Sequence, residues 1–165
     1  MPLAAIALGS NLASAFGDRA ANLREAVSRV ATLGHIRAVS SFHDTAPVGY
    51  TDQSDFLNAA LLLETGIGPR ALLRALLAIE HAMGRDRASV PDKGPRIIDL
   101  DLLLVDDVTL AGASGPEDQP ALILPHPAMA ERRFVLEPLA EIAPHMVEPT
   151  SGHTIAELLA KLAAG

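Results

Sequence analysis

The stretch Gly94-Pro95-Arg96-Ile97-Ile98-Asp99-Leu100-Asp101-Leu102-Leu103-Leu104 reads as a β-strand entered through a rigid Gly-Pro turn. Successive strand side chains point to opposite faces, so Asp99 and Asp101 share one face while Ile98, Leu100, Leu102 and Leu104 pack the other. Two carboxylates ~7 Å apart along a strand repel each other, and a fold tolerates them most easily with cations between them. Hard oxygen ligands suit Mg²⁺, which takes one or two protein carboxylates and completes its shell with water and phosphate oxygens. A solvated strand face is the plain alternative for a bare D-x-D, and the surrounding sequence decides between the two.

Upstream of the pair, Arg85, Arg87, Lys93 and Arg96 concentrate positive charge, and Arg132 and Arg133 follow it. These local cations stand out because the chain carries a net charge of −7, which disfavours broad nucleic-acid binding. The 165 residues favour a single domain, 1–165, with room for a core. A hydrophobic content of 49% fits a globular chain rather than a disordered one. No apolar run approaches a membrane span, and no signal peptide precedes Leu3 to Leu8. The absence of Cys excludes disulfides and thiolate chemistry and fits a reducing cytoplasm.

Leu3 to Leu8 is a short apolar run, predicted to be a strand buried on both faces, and Gly9-Ser10-Asn11 breaks it. A helix is predicted from Asp18 to Leu33, with Leu23, Ala26, Val27 and Val30 as its apolar stripe and Gly34 closing it. Ile36 to Phe42 and Phe56 to Glu64 read as strands separated by a polar loop from Thr45 to Asp55, and strands so joined can pair antiparallel. Pro69 opens a second helix with Leu72, Leu76, Ile79 and Met83 on one face, and Gly84 ends it. Arg85 to Lys93 is charged and poor in apolar residues, so a mobile loop is expected there. Beyond the Asp-bearing strand, Asp106-Asp107 turns the chain into Val108-Thr109-Leu110, and Ala111 to Pro120 is a surface loop. Leu122 to Leu124 is a last short strand, Pro125-His126-Pro127 a rigid bend, and Met129 to Leu136 holds a helical turn. Thr154-Ile155-Ala156-Glu157 is a capping-box sequence that starts a final helix. The order β-α-β-β-α-β-β with helical additions predicts an α+β fold whose antiparallel-rich sheet carries helices on its faces.

Several familiar signatures fail. Gly66-Ile67-Gly68-Pro69-Arg70-Ala71 matches the dinucleotide fingerprint locally, but no acidic residue ends a second parallel strand about 20 residues on. Walker A, G-x-S-x-G and H-E-x-x-H sequences do not occur. What remains is a set of pieces spread over the chain: Gly9-Ser10-Asn11-Leu12, Thr45-Ala46-Pro47-Val48-Gly49, Asp55-Phe56-Leu57-Asn58-Ala59, Ile79-Glu80 with Gly84-Arg85, Gly94-Pro95-Arg96-x-x-Asp99-Leu100-Asp101, Pro125-His126-Pro127, and Arg132-Arg133-Phe134-Val135-Leu136 with Pro138-Leu139. Together, from about Leu3 to Pro149, these resemble the 6-hydroxymethyl-7,8-dihydropterin pyrophosphokinase family of folate biosynthesis.

The resemblance implies a ferredoxin-like fold (alpha-beta plait) and transfer of a pyrophosphoryl group from ATP to the pterin hydroxymethyl, with two Mg²⁺ ions. It implies that Asp99 and Asp101 hold both metals, and that Arg85, Arg87 and Arg96 join them in the catalytic set. Glu80, Arg85, Arg96, His126 and Arg132 match the ATP side. Phe56 and Phe134 match two aromatic rings that clamp the pterin; Asn58 offers a donor and an acceptor to its edge, and Thr45, Pro47 and Val48 line the slot. The expected partners are these small molecules, without nucleic acid or membrane, and the expected state is a monomer. The chain departs from many members at Leu77, Asp92, Lys93, Ala121 and Ile123, each bearing on a nucleotide or loop contact. A non-catalytic binding domain and a nucleotidyltransferase are the competing readings.

Overall fold

β1 (Leu3–Ser10) is the strand around which the layers stack, and its residues are buried along both faces as its unbroken apolar run predicts. The computed structural model describes residues 1–45, 55–84, 96–112 and 121–164. β1 lies between β4 (Phe56–Glu64) and β5 (Asp99–Val105), and β2 (His35–Val39) completes the order β2-β4-β1-β5, every pairing antiparallel. A short β3 (His43–Thr45) pairs with the start of β4. β6 (Leu110–Ala111) and β7 (Ile123–Leu124) form a separate two-stranded ribbon. The α+β class expected from the element order therefore holds.

Two helices cover one face. α1 (Arg19–Val30) starts where the Asp18 side chain accepts the Ala21 N–H, and α2 (Pro69–Ala82) starts at Gly68 with Pro69 in its first turn. Leu23, Ala26 and Val30 of α1 and Leu72 and Leu76 of α2 pack on Ile6, Leu8, Leu61, Leu63, Ile98 and Leu100. The opposite face receives α3 (Arg133–Ile142) and α4 (Ile155–Ala164), whose Val135, Leu136, Leu139, Ile155 and Leu158 pack on Ala5, Ala60, Leu62, Leu103 and Leu104. α4 carries the expected capping box: Glu157 accepts the Thr154 N–H and Thr154 Oγ1 accepts the Glu157 N–H. Among the described residues no helix is long and apolar enough to cross a membrane.

The structure departs from the sequence reading in several places. The strand expected from Ile36 to Phe42 is broken at Ser40, whose hydroxyl accepts the Ala60 N–H that a strand carbonyl would otherwise take. Leu104 does not join Leu100 and Leu102. A bulge in the β1–β5 pairing, where Ala5 faces Leu104 and Ile6 faces Leu102, puts Leu103 and Leu104 together on the α3 side. The helical turn expected before Leu136 is a short 3₁₀ turn (Met129–Glu131) followed by all of α3, which runs through Pro138 because four of its side chains are buried against the sheet and α4. Most residues of the loops expected from Thr45 to Asp55, Arg85 to Lys93 and Ala111 to Pro120 lie outside the described residues, but Thr45 and Ala111 end β3 and β6 by pairing with Phe56 and Ile123.

Candidate active site

The face of the sheet under α3 and α4 changes character along its strands. Reading β1 by alternate residues gives Ala5, Ala7, Gly9; β4 gives Leu62, Ala60, Asn58, Phe56; β5 gives Leu103, Asp101, Asp99. The registers align these series: Ala7 faces Asp101 and Ala60, and Gly9 faces Asp99 and Asn58. Near the middle of the face the residues are small. Beyond it they are polar and aromatic, and the first turn of α3 stands over this end across a cavity.

A cavity of about 90 Å³ opens there, several times the ~10–15 Å³ one water requires. Thr45, Phe56, Asn58, Arg96, Asp99, Asp101, Arg132 and Phe134 all line it, over a floor of Ala7 and Gly9. Gly9 keeps that floor open, because a Cβ there would stand 3.0 Å from Asn58 Oδ1. Asn58 donates to Thr45 Oγ1, which orients its amide toward the cavity edge.

Each aromatic ring carries a guanidinium: Arg96 lies 5.6 Å from the Phe56 centroid and Arg132 lies 5.7 Å from that of Phe134. Arg96 Nη1 also stands 3.4 Å from Asp99 Oδ2. The Arg96 backbone is tied from both sides by buried Asn11, whose Oδ1 accepts the Arg96 N–H at 2.8 Å and whose N–H donates to the Arg96 carbonyl at 3.1 Å. Buried Asn22 of α1 in turn donates to Ser10 Oγ and the Leu12 carbonyl, fixing the turn after β1. Sequence reasoning assigned no role to Gly9, Asn11 or Asn22. The motif Gly9-Ser10-Asn11-Leu12 is the one signal that contains the first two.

Glu80 and His126 flank the cavity rather than line it. Glu80 is 1% exposed, and its Oε2 accepts the Leu100 N–H at 2.7 Å, between the two aspartates. His126 donates its backbone N–H to the Leu103 carbonyl, and its Nδ1 accepts the Ala128 N–H at 3.3 Å. Burial holds the His126 imidazole below its usual range; the Arg132 charge lowers it further, and Asp99 works against both. Arg85, Arg87, Pro47 and Val48 lie outside the described residues. Among those described, no three His, Asp or Glu side chains gather to hold a cation by themselves. Asp99 and Asp101 suit an ion that brings the rest of its oxygen shell from water and phosphate.

Residues 5–144 match the family model of 7,8-dihydro-6-hydroxymethylpterin-pyrophosphokinase (HPPK). The chain belongs to this family. The 2-amino-4-hydroxy-6-hydroxymethyldihydropteridine pyrophosphokinase of Methylorubrum extorquens is 44% identical over 164 residues, covering 98% of this chain and 94% of that one. The protein of the same name from Bacillus subtilis is 42% identical over 155 residues, covering 92% and 85%. Among solved structures, a Plasmodium falciparum HPPK-DHPS chain matches 99% of this chain with a TM-score of 0.78 at 16% identity, a likeness of fold. This chain spans 44% of the length of that HPPK-DHPS chain.

Proposed function

We propose that the cavity between the sheet end and α3 is where this HPPK family member carries out its reaction. The reaction transfers the pyrophosphoryl group of ATP to 6-hydroxymethyl-7,8-dihydropterin, giving AMP and the pterin diphosphate, in folate biosynthesis. The observation that carries this placement is convergence: the carboxylate pair of β5, the amide and ring of β4, and the ring of α3 line one cavity.

In this reading the pterin lies between Phe56 and Phe134, with Asn58 and Thr45 at its polar edge and Pro47 and Val48 completing the slot. Asp99 and Asp101 hold two Mg²⁺ ions, which supply charge neutralisation on the phosphate oxygens when bound. Arg96, with Arg85 and Arg87, balances the charge of the pyrophosphoryl unit as it moves; Arg132 and His126 take the nucleotide side, and buried Glu80 acts through β5. The pterin hydroxymethyl oxygen forms a bond to the β-phosphorus and gives up its proton to solvent, while the bond from that phosphorus to the α–β bridging oxygen breaks, and AMP leaves with that oxygen. The sheet order β2-β4-β1-β5 with α1 and α2 on one face supports the ferredoxin-like plait.

Phosphorus NMR of a reaction with ATP, Mg²⁺ and the hydroxymethyl pterin is expected to show AMP and a pterin diphosphate ester in equal yield. ADP with a pterin monophosphate would make it an ordinary kinase. Free pyrophosphate with an adenylylated pterin would make it a nucleotidyltransferase.

A further inference from the structure

Of the four described groups that would grip the pterin, Phe56, Phe134, Asn58 and Thr45, Thr45 has the least secure support. β3 is only His43–Thr45, it lies off the main sheet path, and it pairs with β4 alone, His43 facing Asn58 and Thr45 facing Phe56. Three backbone pairs at the end of a strand are weak restraint for a residue lining the cavity.

A second restraint comes from the far end of the chain. The Glu141 carboxylate accepts the Ser41 N–H on Oε2 at 2.6 Å and the Ser41 hydroxyl on Oε1 at 2.6 Å, and His43 Nε2 lies 3.0 Å from Oε1. Three donors from the segment entering β3 thus converge on one acceptor about 100 residues away in sequence. Glu141 sits in the last turn of α3, and Phe134 sits in its first. Seven residues apart, they project from nearly the same side of the helix, ~10 Å apart along its axis. The helix that brings Phe134 to the cavity therefore also holds the strand that brings Thr45 to it.

We propose that Glu141 is a positioning residue for the pterin half of the site, locking β3 to α3 so that Thr45 and Asn58 face Phe134 at a fixed separation. This rests on the pterin slot described above. The same donors hold the Glu141 carboxyl well below its ordinary value, at about 2, with the Ser41 hydroxyl first and the Ser41 N–H next, so the anchor is charged through the neutral range.

The test uses calorimetric titration of 6-hydroxymethyl-7,8-dihydropterin, with Mg²⁺ and an ATP analogue whose α–β bridging oxygen is replaced by methylene. Glu141→Ala is expected to weaken pterin binding about tenfold and leave the analogue's affinity within about twofold. Glu141→Gln, which keeps a carbonyl acceptor, is expected to recover part of the loss. Ser41→Ala removes only the hydroxyl and is expected to cost less than either, so the proposal stays testable if the alanine variant folds poorly. Hydrogen exchange at the Ser41 amide reports the lock directly and is expected to quicken in both Glu141 variants. Equal weakening of pterin and nucleotide would reduce Glu141 to a general fold contact and overturn the proposal, as would unchanged pterin affinity. If the wild type bound the pterin but Phe134→Ala bound it as well, the slot itself would be misplaced, a failure distinct from that of the lock.

Discussion

The two faces of the sheet use the same strands and reach opposite ends. Toward α1 and α2, Ile6, Leu8, Leu61, Leu63, Ile98 and Leu100 are buried along the full length of the strands. Toward α3 and α4 the strands are apolar only as far as Ala60 and Leu103, then give way to Asn58, Phe56, Asp101 and Asp99. The difference comes from where the covering helix starts. α3 begins at Arg133, so the strand ends beneath its first turn face a cavity instead of a closed apolar layer, and Asp99 and Asp101 stay half-buried there. Leu100 and Asp101 are neighbours in sequence, yet one packs in the core and the other lines the cavity.

That division can be broken on purpose. Asp101→Ala is expected to lower turnover by roughly 10³-fold or more, since metal-assisted charge stabilisation is worth several kcal/mol. Its thermal midpoint should stay within a few degrees of wild type, checked by steady-state kinetics beside a melting curve. Leu100→Ala, one residue away, should do the reverse. It is expected to cost ~2–5 kcal/mol of stability by denaturant titration, with kcat per folded molecule little changed. A comparable loss of activity in the folded Leu100 variant would mean that the two faces are not separable.

Phe134→Ala sharpens the comparison within the polar half. It should weaken pterin binding by ~1–3 kcal/mol through lost stacking, with nucleotide affinity nearly unchanged in calorimetry. The smallest effect concerns pH. Glu141 has a folded value of about 2 against an ordinary 4.5, so its stabilisation is complete above about 4.5 and is lost as pH falls toward 2. Denaturant titrations should therefore show the stability gap between wild type and Glu141→Gln narrowing over that window. A gap constant from pH 6 to pH 2 would remove the charged anchor.

The readable parts of the sequence were those set by local pattern. β4 runs over the predicted residues because a loop signal bounds its apolar run, and the capping box at Thr154 forms as spaced. Asp99 and Asp101 share a face because strand alternation is local too. The misses depend on distant partners. Glu80 reads as a solvated helix residue when the resemblance is set aside, and only the packing of α2 on β5 puts its carboxylate inside. Glu141 gives no sign of Ser41 or His43, and the bulge at Leu103 needs knowledge of which β1 residue stands opposite. Asn11 gains meaning only when the end of β1 meets Arg96.

β5 is an outer strand of the main sheet, and its Leu102-Leu103-Leu104-Val105 run has the composition that pairs readily with strands from other molecules. Its outer edge is already occupied at two points from within the chain. Glu80 takes the Leu100 N–H, and the His126 N–H takes the Leu103 carbonyl. A strand arriving from another copy would find that ladder interrupted where it needs continuity. The buried carboxylate beside the aspartates thus also blunts an outer strand edge, and Glu80→Ala would leave the Leu100 N–H there without that acceptor.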